Sequence, residues 1–270
     1  MSLFALTFPT IDPILIEIGP FAIRWYALAY IAGLFGGTWC MRRLVAKPPA
    51  LITPEQADDF LIWALIGIIV GGRLGYVLFY KPAYYLSNPN EILMTWEGGM
   101  SFHGGLIGVT LAIILFARKL NVDKWYVADN VSCAVPIGLL LGRLANFING
   151  ELYGRTAPDV SWAMAFPSGG PIPRHPSQLY EAFLEGAVLL VLLNLLWRQD
   201  AVRQRPGVIT GCFCVGYAIA RIIVELFREP DRHLGLLTFG MTMGQILSGA
   251  LLVFGAWVVW RSLKRPPVTG

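Results

Sequence analysis

The feature that most constrains this chain is a series of apolar stretches, each long enough to cross a lipid bilayer. The hydrocarbon core of a bilayer requires about 20 apolar residues of α-helix. Seven such stretches occur in the 270 residues, at 21–41, 60–80, 101–117, 126–148, 179–197, 207–227 and 243–260. The sequence therefore predicts an all-α, polytopic integral membrane protein with seven transmembrane helices, forming a single membrane-embedded domain over 1–270.

The amino-acid composition excludes several other classes of protein. Hydrophobic residues make up 56% of the chain and charged residues only 14%, whereas soluble domains average about 45–50% and about 25%. Disorder, nucleic-acid binding and a large soluble enzyme are therefore poor interpretations. The cysteines also lie inside apolar stretches, so we interpret them as small apolar side chains and not as metal or redox sites. They are Cys40, Cys133, Cys212 and Cys214.

The loops that connect the predicted spans differ in their basic charge, and this difference predicts the orientation. Loops on the cytoplasmic side of a membrane carry an excess of lysine and arginine. One set of alternate loops holds twelve such residues, namely Arg42, Arg43, Lys47, Arg118, Lys119, Lys124, Arg198, Arg203, Arg205, Arg261, Lys264 and Arg265. The opposite set holds five, namely Lys81, Arg155, Arg174, Arg228 and Arg232. We therefore expect the N-terminus outside and the C-terminus in the cytoplasm.

Four further arginines lie within or near the ends of the apolar stretches: Arg24, Arg73, Arg143 and Arg221. An arginine at mid-span costs at least about 2.5–3.5 kcal/mol, so it usually faces a cavity or a charged partner. Arg24 is close enough to a span end to reach the membrane surface. For the other three, and above all for Arg73, a structural ion pair or snorkelling to the membrane surface is the alternative to a functional site.

Unusual polar side chains of several predicted spans share one depth, near the outer surface. Tyr217, Arg221, Glu225 and Arg228 recur along one face of the sixth stretch at helical spacing. The outer ends of other stretches contribute Tyr26, Arg73, His103, Arg143 and Asn146. Guanidinium groups bind phosphate oxygens bidentately, and histidine is a base near neutral pH. The pattern favours a membrane-embedded site for a phosphate-bearing lipid over a polar network that only joins helices.

Glycines are concentrated in two places that matter to this site. Gly67, Gly71 and Gly75 recur along the second stretch, which predicts close helix packing, with a gap for acyl chains as the alternative. Glycines also flank His103, where they permit either close backbone approach or an unwound start of the third helix.

Five motifs, in chain order from about residue 20 to residue 245, resemble one known family. The most specific is Gly142-Arg143-x-x-Asn146-Phe147-Ile148-Asn149-x-Glu151-x-x-Gly154. The others are IRWY at 23–26, GMSFHGG at 99–105, RHPSQLYE at 174–181 and RxxxExxRxPD at 221–231. Together they resemble the signature of the bacterial phosphatidylglycerol–prolipoprotein diacylglyceryl transferases.

The resemblance implies a reaction and its partners. The family transfers the sn-1,2-diacylglyceryl group of phosphatidylglycerol to the lipobox cysteine thiol of a prolipoprotein. A thioether forms and glycerol phosphate is released, as the first step of lipoprotein maturation. The implied location is the bacterial inner membrane, with the active site towards the periplasm and the prolipoprotein signal peptide as a partner. No metal, organic cofactor or nucleic acid is implied.

The resemblance also implies roles for individual residues. His103 is the candidate base, Arg143 the main phosphate ligand, and Arg221 a second phosphate ligand or stabiliser of the leaving group. The expected substrate-binding positions are Tyr26, Arg73, Arg143, Asn146, Glu151, Gly154, Tyr217, Glu225 and Arg228. The two tyrosines are expected to bind the headgroup or orient the arginines, and Glu225 to orient Arg221. Whether Arg73 contacts substrate is left open.

Two other classes of function are compatible with the composition. A transporter or lipid flippase would also place arginine and tyrosine at a lipid-sized cavity, but it normally needs polar residues at both membrane faces or repeated halves with broken helices. A structural or chaperone protein would not need a histidine beside the arginines. The polar layer on one side of the membrane favours the transferase.

Overall fold

The computed structural model of the protein describes residues 6–9, 11–19, 21–230, 237 and 240–268. These residues form two compact units. The first unit comprises the described residues up to Cys40 and those from Val131 onward, and the second comprises Met41–Asn130. The interpretation of the whole chain as one membrane domain stays a prediction.

Short strands occur in the first unit, so the predicted all-α class needs a correction. Strands β1 (Leu6–Thr7) and β4 (Met164–Ala165) form a parallel pair, while β2 (Ile14–Ile18) and β3 (Phe21–Arg24) form an antiparallel pair. Alternating isoleucines in β2 and the positive φ of +58° at Gly19 favour this hairpin. The predicted first span therefore begins in a strand, and its helix starts only after Arg24.

Helices make up most of the described chain. They are α1 (Trp25–Val45), α2 (Pro54–Phe79), α3 (Pro82–Ser87), α4 (Phe102–Leu120), α5 (Lys124–Ile148), α6 (Ser177–Glu181), α7 (Leu189–Trp197), α8 (Asp200–Arg203), α9 (Val208–Glu225) and α10 (Met243–Leu263). A π-helical segment, Ala182–Val188, joins α6 to α7, and two 3₁₀ turns, Pro89–Leu93 and Thr95–Glu97, precede α4.

Six helices within the described ranges are long and apolar enough to cross a membrane. They are α2, α4, α5, the continuous helix Ser177–Trp197, α9 and α10. These six coincide with the second to seventh apolar stretches, which confirms a mostly helical, multi-pass membrane protein. The seventh span, on α1, and the orientation of the termini stay predictions.

In the second unit, glycines bring α2 and α4 into direct backbone contact. A Cβ atom added to Gly67 would lie 2.7 Å from the Gly108 carbonyl oxygen. A Cβ atom on Gly75 would lie 2.7 Å from the Gly104 Cα atom. The glycine pattern therefore serves close packing, as predicted, and the gap for acyl chains is not needed to explain it.

In the first unit, small residues hold α5 and α10 against their neighbours. A Cβ atom on Gly186 would lie 2.7 Å from the Leu140 Cβ atom of α5. Likewise, a Cβ atom on Gly211 of α9 would lie 2.8 Å from the Gly255 carbonyl oxygen of α10. These contacts fix the backbones that carry the polar residues of the first unit.

None of the four cysteines forms a disulfide bond. Cys40, Cys133 and Cys214 are buried and Cys212 is half-buried. Their burial agrees with the interpretation as small apolar side chains.

Candidate active site

Three arginines from separate segments of the first unit converge on one buried carboxylate, that of Glu181. The Arg143 Nε atom lies 2.6 Å from Glu181 Oε2. Arg228 donates a hydrogen bond from Nη1 to Glu181 Oε1 at 2.9 Å, and the Arg221 Nη1 atom lies 3.4 Å from the same oxygen. The Glu181 side chain is only 1% exposed. Paired charges of this kind can be buried because each compensates the desolvation of the other.

Two more carboxylates complete this group. The Arg221 Nη2 atom lies 2.6 Å from Glu225 Oε1, one helical turn further along α9. Thr242 donates a hydrogen bond to Glu225 Oε2 at 2.7 Å. Glu185 lies near both Arg143 and Arg221, at 3.7 and 3.8 Å. We call the six residues the arginine–glutamate cluster: Arg143, Glu181, Glu185, Arg221, Glu225 and Arg228.

The cluster keeps unused capacity for an anion. The Arg143 side chain is 20% exposed, and those of Arg221 and Arg228 are also partly exposed. The Arg221 Nη1 atom is buried and makes no hydrogen bond to a described residue, although it lies within ion-pair distance of Glu181 and Glu185. A buried donor without a well-aligned acceptor is costly, so the site is suited to an anionic group that supplies such an acceptor.

The segment after α5 is held by the side chain and backbone of Glu151. Asn146 and Asn149 both donate hydrogen bonds to Glu151 Oε1, at 2.9 and 3.1 Å. Gln178 donates to the Glu151 backbone carbonyl at 2.6 Å. In the sequence, Asn146 and Glu151 were expected to bind substrate. In the structure they bind each other and fix the chain that follows Arg143.

Gly154 occupies a position without room for a side chain. Its N–H group donates to the His175 carbonyl at 2.8 Å, and the residue forms an antiparallel bridge with Arg228. A Cβ atom on Gly154 would lie 2.8 Å from the His175 Cβ atom and would also collide with the Phe227 carbonyl oxygen. The glycine therefore positions the backbone of Arg228, and direct substrate contact by Gly154 stays a prediction.

The two candidate tyrosines, Tyr26 and Tyr217, lie on different helices of the first unit, α1 and α9. Tyr217 is half-buried on α9, one turn before Arg221, and lies in the electrostatic field of Glu185 and Arg221. Tyr26, in the first turn of α1, is 37% exposed, and its hydroxyl lies 3.3 Å from that of Tyr30. Both hydroxyls remain available for further hydrogen bonds, as headgroup binding would require.

His175, in the 174–181 motif, lies just before the span Ser177–Trp197 and belongs to a short hydrogen-bonded chain. Trp162 donates to the Tyr180 hydroxyl at 2.6 Å, and that hydroxyl lies 3.1 Å from His175 Nδ1. Partial burial lowers the pKa of His175 below its ordinary value, which favours the neutral ring. The Tyr180 hydroxyl then donates to Nδ1, so His175 acts as a fixed neutral element of this loop.

His103 lies in the second unit, in the first turn of α4. Ser101 caps this helix by accepting a hydrogen bond from the Gly104 N–H at 3.2 Å, and its own N–H donates to the Gly72 carbonyl at 2.9 Å. The helix is thus formed up to its start, so the glycines serve close approach and not an unwound end. The His103 ring is exposed, contacts the Phe102 ring, and has no hydrogen-bond partner in the described part of the chain.

Arg73 is buried in the second unit and bound by backbone carbonyls. Its Nε donates to Ile92 O at 2.8 Å, its Nη2 to Glu91 O at 2.6 Å, and its Nη1 to Gly98 O at 2.5 Å. The side chain is 5% exposed and also lies over the Tyr85 ring. Arg73 therefore clamps residues 91–99, the segment that leads into α4. These contacts support a structural role for Arg73, made through backbone carbonyls and not through an ion pair, and they give no support to substrate binding.

Glu181 and Glu185 were not among the residues predicted from the sequence. A carboxylate inside a span is as costly as a guanidinium group. Two glutamates spaced i, i+4 inside the apolar stretch 179–197 were a signal of the same kind. Counting acids together with bases would have identified both.

The fold and the cluster define a class: multi-pass helical membrane proteins with half-buried guanidinium groups suited to an anionic ligand. A family model described as prolipoprotein diacylglyceryl transferase matches residues 13–261. The chain belongs to this family, which confirms the resemblance found in the motifs.

Curated relatives agree over nearly the whole length. A phosphatidylglycerol–prolipoprotein diacylglyceryl transferase of Paramagnetospirillum magneticum is 59% identical over 265 residues, covering 97% of this chain and 98% of the relative. Proteins of the same name from Rhodospirillum rubrum and Azospirillum brasilense are 58% and 56% identical. These two matches cover 99% and 98% of this chain, and 99% of each relative.

Proposed function

We propose that this protein transfers the diacylglyceryl group of phosphatidylglycerol to the lipobox cysteine thiol of prolipoproteins. The product is a thioether and the leaving group is glycerol phosphate, so the reaction is the first step of lipoprotein maturation. The observation that carries the proposal is the convergence of Arg143, Arg221 and Arg228 on buried carboxylates, with one buried guanidinium nitrogen that makes no hydrogen bond to a described residue. Family membership and the names of the relatives supply the reaction class.

Arg143 and Arg221 are proposed to bind the phosphate of the lipid. The phosphodiester carries one negative charge, and more charge gathers on the leaving oxygen as the glycerol C–O bond breaks. Guanidinium groups that are already fixed in place stabilise this growing charge without having to reorganise. Glu181 and Glu225 hold the two guanidinium planes, which supports the positioning role predicted for Glu225.

Tyr26, Tyr217 and Arg228 are proposed to surround the headgroup. Tyr217 and Arg221 lie one turn apart on α9, so a group bound at Arg221 is within reach of the Tyr217 hydroxyl. Arg228 keeps part of its guanidinium exposed while it binds Glu181. Asn146, Glu151 and Gly154 are proposed to act indirectly, by fixing the chain on either side of these groups.

His103 is proposed as the base that takes the thiol proton. An unperturbed thiol has a pKa of about 8.5, so little thiolate exists at neutral pH without a base. The exposed His103 ring has no hydrogen-bond partner in the described chain that would compete with a thiol. The thiolate sulfur attacks the sp³ glycerol carbon, the C–O bond breaks, and the electron pair leaves with the phosphate.

The proposed setting is the bacterial inner membrane, crossed seven times, with a periplasmic N-terminus and a cytoplasmic C-terminus. The supporting observation is the bias of twelve basic residues against five in alternate loops. This orientation puts the outer ends of α5 and α9, and so the arginine–glutamate cluster, towards the periplasm. Both substrates, the lipid and the prolipoprotein signal peptide, would reach such a site from within the membrane.

Mass spectrometry of a prolipoprotein peptide tests the proposal. The full chain, reconstituted with phosphatidylglycerol, is incubated with a peptide that carries the lipobox cysteine and, as a control, with the same peptide carrying serine. We expect a diacylglyceryl adduct on the cysteine peptide only. Movement of lipid between leaflets without an adduct would indicate a flippase and contradict the proposal.

A further inference from the structure

Glu185 is the most deeply buried and least compensated carboxylate of the arginine–glutamate cluster. Its side chain is 0% exposed, and neither carboxylate oxygen accepts a hydrogen bond from any described residue. Its nearest cationic atoms are Arg143 Nη2 at 3.7 Å and Arg221 Nη1 at 3.8 Å. Glu181, by contrast, has charged partners at 2.6 and 2.9 Å.

The backbone holds Glu185 at this position. It lies in the π-helical segment Ala182–Val188, a rare geometry that is frequent at functional sites. The adjacent Gly186 packs directly on Leu140 of α5, with no room for a Cβ atom. This contact holds the helical segment that carries Glu185 against α5.

The charges that surround Glu185 balance one another when no substrate is bound. Arg143 faces it from α5, Arg221 and the Tyr217 hydroxyl from α9, Arg228 from the segment after α9, and Glu181 from its own helix. Glu225 adds a third carboxylate beside Arg221. Three guanidinium groups thus face three carboxylates, and the cluster is neutral overall.

An anionic headgroup disturbs this balance. A bound phosphodiester adds one negative charge to a largely buried group, and uncompensated charge is expensive where water is excluded. The cheapest correction is to neutralise one carboxylate with a proton. Glu181 and Glu225 each have a charged partner at 2.6 Å that such a proton would weaken. Glu185 has no hydrogen bond to lose.

We infer that Glu185 takes up one proton when the cluster binds the phosphate of an anionic lipid. The inference rests on the proposed function, because it assumes that the arginines bind that phosphate. The proton comes from solvent and forms one O–H bond on the Glu185 carboxylate. It returns to solvent when the phosphate product leaves. Glu185 is thus a positioning residue: once it is neutral, the Arg143 Nη2 and Arg221 Nη1 atoms that face it are free to bind the phosphate. Glu181 and Glu225 continue to hold the two guanidinium planes.

The number of protons taken up on binding tests this inference. Phosphatidylglycerol is titrated into the purified full chain by calorimetry, in buffers that differ in ionisation enthalpy, across about pH 6 to 9. We expect wild-type protein to take up as much as one proton per lipid. Glu185→Gln should bind the lipid with no such uptake. Glu55→Gln is the matched control, because Glu55 is exposed and lies in α2, outside the arginine–glutamate cluster. It should take up as many protons as the wild type.

Two results would overturn the inference: no uptake by wild-type protein, or undiminished uptake by Glu185→Gln. If that variant fails to fold, the wild-type dissociation constant decides instead. It should rise with pH by as much as about tenfold per pH unit, and a flat profile refutes the role of Glu185. Peptide transfer by the same preparation separates the two proposals. Transfer without proton uptake on lipid binding refutes this inference alone, whereas lack of transfer refutes the proposed function.

Discussion

Replacing Arg143 by lysine separates the charge of this residue from its geometry. The Arg143 Nε atom lies 2.6 Å from Glu181 and its Nη2 atom 3.7 Å from Glu185, while 20% of the side chain stays exposed. One guanidinium can therefore bind a carboxylate and a phosphate at once. A lysine ammonium is a single point charge and lacks the planar arrangement of N–H donors that would bind both groups in fixed geometry.

The magnitude follows from these contacts. Lysine preserves the positive charge near Glu181, so Arg143→Lys should fold. Alanine leaves the buried carboxylates short of a partner, which costs about 3–5 kcal/mol of stability. Both variants lose an oriented donor to the leaving phosphate, worth about 2.7–4 kcal/mol, or about 10²–10³ in rate. We therefore expect Arg143→Ala to abolish transfer and Arg143→Lys to recover little of it.

The assay measures peptide transfer and thermal unfolding on the same purified samples. Arg42→Lys is the matched control, because the Arg42 side chain is 42% exposed and pairs with Asp58 outside the cluster. It should leave both quantities unchanged. Near wild-type transfer by folded Arg143→Lys would refute bidentate phosphate binding by Arg143.

Three further variants and one fusion test other parts of the structure. His103→Gln should lower the transfer rate by a factor of about 10²–10⁴ near neutral pH, and the rate should recover as the pH approaches the thiol pKa of about 8.5. A rate deficit that stays constant across a pH series would exclude a role of His103 as base. Arg73→Lys should lose carbonyl contacts to residues 91–99 and lower kcat without changing the affinity for phosphatidylglycerol; reduced lipid binding would instead indicate substrate contact. Gly154→Ala should lower the stability by about 1–3 kcal/mol in thermal unfolding, whereas Gly249→Ala, where a Cβ atom meets open space, should not. A cytoplasmic reporter fused to the C-terminus should be active, and activity of a periplasmic one would reverse the orientation.

The sequence predicted the helices because the bilayer imposes a length and an apolar composition that can be counted. Six of the predicted stretches coincide with long helices. The start of the first was wrong because apolar residues alone do not distinguish a helix from a hairpin. The alternating isoleucines of Ile14–Ile18 and the positive φ of Gly19 favour a β-hairpin with Phe21–Arg24.

The candidate site was only partly predictable. Regular spacing along α9 gave the pairing of Arg221 with Glu225, since residues four apart share a helix face. The partners of Arg143 come from another helix, and no local pattern specifies that contact. Arg73 shows the same limit, because its ligands are backbone carbonyls that every residue possesses. Its burial could be predicted, but its function as a clamp required the structure.

The central claim is that the arginine–glutamate cluster recognises the lipid phosphate, and lipid retention measured by native mass spectrometry tests it most directly. Wild-type protein is offered equal amounts of phosphatidylglycerol and diacylglycerol, which share the acyl chains and differ in the phosphate headgroup. We predict that the wild type retains phosphatidylglycerol in preference and that Arg143→Lys loses this preference while its retention of diacylglycerol is unchanged. Equal retention of both lipids by the wild type, or an unaltered preference in Arg143→Lys, would contradict the claim.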